Sequence, residues 1–120
     1  VVVSAQGDTT DDLIEKAKEI IESSQNIYIS VASLWEISIK YSINKLDILL
    51  PNINEFIEHY VKTTYSILSI HPEHIKMVAT LSFIHRDPFD RMLIAQAKVE
   101  DMTLITCDQY MPQYPVRTVW

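Results

Sequence analysis

Glycine is almost missing from this chain. Gly7 is the single one among 120 residues, and loops that cradle phosphate need several so that backbone amides can close on the ligand. A Walker-type loop and a dinucleotide fingerprint are thereby excluded. Cys107 is the single cysteine, so no intrachain disulfide forms, which suits a reducing compartment. No apolar run approaches the roughly 20 residues that cross a bilayer. The opening VVVSAQGD has neither a basic start nor a long apolar core and does not read as a signal peptide; cytoplasm is the expected location, with no membrane partner. Positive charge is scarce too: 10 Lys and Arg stand against 16 Asp and Glu, a formal net charge of −6. RNA and DNA draw much of their affinity from a basic surface. A nucleic-acid role must therefore rest on local cations, and Lys40, Lys45, Arg86 and Arg91 flank the acidic segments.

What is present suits one compact domain over residues 1–120. The chain is 48% hydrophobic and 22% charged, outside the disordered range, and long enough to bury a core without disulfides. DDLIEKAKEIIESS has apolar residues at 13, 17, 20 and 21, the spacing of an amphipathic helix. NIYISVA reads as a strand, and SLWEISIKYSI as a helix apolar around most of its circumference, which predicts deep packing with Trp35 and Ile39 in the core. KLDILLPN is a loop, NINEFIEHYVKT a helix, TYSILSI a strand. PEHIKMVATLSF and DPFDRMLIAQAKVED form two more helices, TLIT another strand, and PVRTVW a short edge strand with proline at its start. Strands separated by helices favour a parallel sheet, since parallel crossovers need a dozen or more residues. The expected fold class is α/β, a three-layer sandwich. In such folds ligands bind beyond the carboxyl ends of the strands.

Three acids fall near that edge: Glu36 in SLWEISIK, Asp90 in DPFDR and Asp108 after TLIT. Each has a structural alternative. Ser33 with Glu36 fits a capping box, Asp87-Pro88 with Asp90 fits a cap followed by a helical proline, and Asp108 suits the cap of a turn at QYM. Against capping alone, all three interrupt apolar surroundings. Clustered carboxylates in a partly buried place repel one another unless a cation holds them, so a magnesium or manganese site for phosphodiester hydrolysis is the sharper reading. His71 and His74 lack a third ligand for zinc, His85 reads as a loop histidine beside the acids, and Cys107 as a small buried side chain. A phosphoacceptor receiver domain shares the fold class but lacks its paired lysine and hydroxyl at strand ends.

YISVASLWEISIKYSINKL, HPEH, HRDPFDRMLIAQA and LITCD resemble the PIN-domain toxins of the VapC group in type II toxin–antitoxin systems, from about Lys16 to Trp120. The resemblance implies a metal-dependent endoribonuclease, inhibited by a cognate antitoxin and commonly a homodimer. Glu36, Asp90 and Asp108 match its catalytic and metal-binding acids, Thr106 a recurring hydroxyl and Arg91 a recurring basic position, expected to contact phosphate or to bridge to Asp87. One departure stands out. The family's first strand ends in an acid that counting back places at or before Val1, so that strand is expected to be missing or altered. Asp8, Asp11 and Asp12 read as helix-start acids. The alternative is a catalytically impaired PIN-fold module that binds antitoxin or RNA without cleavage.

Overall fold

The computed structural model describes residues 2–3, 19, 26–45, 52–106 and 108–119. Five short parallel strands form one sheet in the order β3-β2-β1-β4-β5: β1 Val2–Val3, β2 Tyr28–Ser30, β3 Ser66–Leu68, β4 Leu104–Ile105 and β5 Thr118–Val119. Val2 and Val3 are in register with Tyr28 and Ile29 on one side and with Leu104 and Ile105 on the other. The central place, expected to be vacated by a missing first strand, is thus filled by two β-branched residues. Without an acidic motif to mark it, so short a strand carries no periodicity of its own. Strand order reverses across β1, and the gap between β1 and β4 is where an open parallel sheet leaves a crevice.

Among the described residues, four helical segments lie between β2 and β4. Helix α1 spans Val31–Ser42, α2 winds through Ile53–Glu55, the wider π turn Phe56–Val61 and Lys62–Thr64, α3 spans Pro72–Val78 and α4 spans Pro88–Glu100. A 3₁₀ turn at Met111–Gln113 leads to β5. With glycine so scarce, the left-handed positions fall to Asn44 at φ 58° and Asp101 at φ 53°, residue types that tolerate that region. Asp101 ends α4, and Arg117 holds it through both its carbonyl (2.8 Å) and its carboxylate (3.0 Å).

The core lies where α4 crosses the sheet. Leu93, Ile94, Ala95 and Ala97 pack with Leu68, Leu81, Leu104, Met111 and Tyr114. The leucine, isoleucine and methionine side chains each contribute roughly 1.5–3 kcal/mol on full burial. Gln96 is a fully buried polar residue within this stretch of α4: it accepts from the Ser30 hydroxyl and donates to the Ser69 carbonyl at 3.2 Å. That bond ties the junction of β2 and α1 to the middle of α4. Helix α1 packs less deeply than its apolar pattern predicts. Ala32, Ser33 and Leu34 are its buried residues, while Trp35 is 60% exposed and Ile39 39% exposed. An apolar residue on every face leaves some facing outward when a single side meets the sheet, so Trp35 instead rests edge-on against Phe89 at 5.1 Å.

Candidate functional site

Helix α1 starts three residues earlier than a cap at Ser33 would have it. Ser30 is its cap, accepting from the Ala32 amide at 3.0 Å, so Ser33 and Glu36 both lie inside the helix and form no capping box. Glu36 is free of that duty. Its carboxylate pairs loosely with Lys40 one turn on, at 3.8 Å. Burial pushes its carboxyl up, Lys40 opposes this, and the charge of Asp87 adds to the rise.

At α4 the cap and the acid separate. Asp87 Oδ1 accepts from the amides of Phe89 (2.8 Å) and Asp90 (3.2 Å), with Pro88 in the first turn. The Asp90 side chain takes no part in capping. It turns toward the loop before the helix, where its Oδ2 lies 2.9 Å from His85 Nε2. The same nitrogen lies 3.2 Å from Asp108 Oδ2. Asp108 divides its work between its two oxygens. Oδ1 accepts from the amides of Tyr110 (2.7 Å) and Met111 (3.0 Å), which is the expected turn cap, while Oδ2 faces the histidine. Thr106, itself buried, accepts the Asp108 amide at 3.0 Å and so aims the residue.

Burial pushes the Asp90 carboxyl up to about 7, helped by the charge of Asp87, opposed by His85, and raised further by Glu36 and Asp108. Four acids from α1, the α4 cap, α4 itself and the segment after β4 therefore share one electrostatic neighbourhood. Asp90, Asp108 and His85 are also the described residues whose ligand atoms converge, within 4.8 Å of one another. Glu36 acts on that group through its charge, from the neighbouring helix. The donor set fits a hard divalent cation. Carboxylate oxygens are its preferred ligands, and Asp90 and Asp108 supply them here.

A family model for the PIN domain matches residues 1–116. The chain belongs to the PIN domain family. PIN domains have a nuclease-type fold and typically use divalent metals, and in this PIN domain Asp108 follows β4, one of the two strands between which the order reverses. No match is found among the curated proteins. No helix of the described residues is long and apolar enough to cross a membrane.

Two expectations about single residues change. Arg91 does not bridge to Asp87; its donors are taken up by backbone carbonyls. It is 7% exposed, and its guanidinium donates to the carbonyls of Val78 (3.3 Å), Leu81 (3.4 Å), Ser82 (3.0 Å) and His85 (3.4 Å) while lying 4.2 Å over the Phe83 ring. It closes the turn between α3 and α4, where the expected continuation of α3 to Phe83 breaks off. Tyr114 completes the closure, accepting from the amides of Ile84 (3.1 Å) and His85 (2.7 Å) and donating to the Ser82 carbonyl at 2.7 Å. His85, expected as an ordinary loop histidine, is the second change. Its place two residues before a capping aspartate was the signal, since that spacing lets its ring reach the cap's own amide. His74 has both ring nitrogens engaged, with the His71 amide and with Glu100, each at 2.9 Å. Asp8, Asp11, Asp12 and Cys107 lie outside the described residues.

Proposed function

We propose that this PIN domain is a metal-dependent endoribonuclease of the VapC toxin group, acting in the cytoplasm on RNA, held in check by a cognate antitoxin and working as a homodimer. The observation that carries the reading is the meeting of Asp90 and Asp108, from separate elements, at one point beyond the carboxyl ends of the strands. Asp90 is buried, and the nearby charge of Asp108 makes its ionisation costlier, whereas a cation turns that proximity into binding energy. Asp90 and Asp108, with Glu36 nearby, would hold Mg²⁺ or Mn²⁺. When bound, such an ion activates water and offsets charge developing on phosphate. Thr106 orients Asp108 through its amide, and Arg91 positions the loop that carries His85. The exposed Arg86 and Lys45 supply local cations for an RNA backbone on an otherwise acidic chain.

Mn²⁺ calorimetry tests this on the wild type, Asp90→Asn and Glu36→Gln, followed by cleavage of a single-stranded RNA. Binding and cleavage in the wild type, with binding abolished by Asp90→Asn and weakened by Glu36→Gln, are expected. A folded wild type that takes up no metal and cuts nothing overturns the reading in favour of a module that binds antitoxin or RNA without cleavage.

A further inference from the structure

The Asp87 amide donates to His85 Nδ1 at 3.1 Å. A ring nitrogen that accepts carries no hydrogen, so the ring hydrogen sits on Nε2, the nitrogen that faces Asp90 at 2.9 Å and Asp108 at 3.2 Å. Nε2 is thus a donor shared by two carboxylates, with no lone pair left for a metal. It lies between the two Oδ2 atoms, the carboxylates that would hold a cation. We infer that His85 is an internal substitute for the divalent ion: its Nε2–H occupies the cation position between Asp90 and Asp108, so that this hydrogen-bond pair and the bound metal exclude one another.

The inference rests on the metal reading above and adds a displaceable side chain to it. The backbone of His85 is pinned, its amide by Tyr114 and its carbonyl by Arg91. Release must therefore be a rotation of the ring and not a movement of the loop. Room for it exists. An open cleft lined by Phe83, Ile84, Arg86, Asp87 and Tyr110 adjoins the ring, and Tyr110, 43% exposed, meets it edge-on at 5.5 Å. Rotation costs the bond to the Asp87 amide and both carboxylate contacts, and the arriving ion replaces the latter two with stronger ones.

Two measurements at one fixed pH above the Asp90 range test the exclusion. In calorimetry, His85→Ala is expected to bind Mn²⁺ about tenfold more tightly than the wild type, the worth of one charge-assisted hydrogen bond that no longer has to break. Weaker or unchanged binding by a folded His85→Ala chain overturns the inference while leaving the metal reading in place, and loss of binding would make His85 a ligand. Absence of binding in both chains removes the metal reading and the inference together. Imidazole ¹⁵N spectra of the wild type make the test independent of the variant. Without metal, His85 should show a protected Nε2–H. Saturation with Mg²⁺ should remove that protection without a metal-bound nitrogen signal. Protection that persists at saturation, or a nitrogen shifted by direct coordination, overturns the proposal.

Discussion

Asp87 and His85 hold each other from opposite ends of one short loop: the Asp87 amide donates to Nδ1 of His85 at 3.1 Å, while the Asp87 carboxylate caps α4. The start of α4 and the orientation of the histidine are therefore set by the same residue. A helix that frayed at its N-terminus would release the ring as well, and with it the contact between Nε2 and the two acids.

Asp90 makes the metal-free protein sensitive to pH. Its carboxyl is pushed up to about 7, chiefly by burial and by the charge of Asp87, above the value it has in an unfolded chain. Between the two values the folded state binds the extra proton, so the contribution of Asp90 to stability is fully present below the ordinary carboxylate range and is lost as pH rises through about 7. Thermal unfolding of the metal-free chain should show this decline, and Asp90→Asn should flatten it. Mn²⁺ should restore stability at the alkaline end, because binding to the folded state alone stabilises it.

Asp108→Asn should separate folding from metal binding. An asparagine Oδ1 still accepts the Tyr110 and Met111 amides, so the turn survives and the melting temperature changes little. The lost charge should weaken Mn²⁺ binding by at least tenfold and abolish RNA cleavage. Unfolding of Asp108→Asn would instead assign this residue to the turn alone.

Arg91→Ala should destabilise by about 2–4 kcal/mol, because the carbonyls of Val78, Leu81, Ser82 and His85 lose their shared donor inside the protein. Arg91→Lys should recover little of this, since one ammonium does not reproduce a planar fork with five donors. Urea denaturation of the three chains checks both. A lysine variant as stable as the wild type would show that charge alone suffices.

Tyr114→Phe removes the hydroxyl that joins Ile84, His85 and Ser82. A loss of about 1–3 kcal/mol is expected. Because the His85 amide is released, the ¹⁵N signals of its ring should change as well. A spectrum identical to the wild type would mean that Asp87 fixes the ring unaided.

Much of this protein is written locally. Alternation of apolar strands with helices implied a parallel sheet, Asp87 followed by Pro88 marked the start of α4, and acids at strand ends and helix starts singled out Asp90 and Asp108. Those signals are short-range: a cap needs three residues and a helix face needs two turns. The structure decided what depends on separations of tens of residues. It seated Val2–Val3 between β2 and β4, turned Trp35 outward, and sent Arg91 to four carbonyls rather than to Asp87. It also brought His85 between acids that are 18 residues apart in the chain, from 90 to 108. No periodicity reports that meeting. A side chain's partner across the fold is chosen by packing and by the demand that every buried polar group be satisfied, and those conditions exist once the helices and strands have already come together.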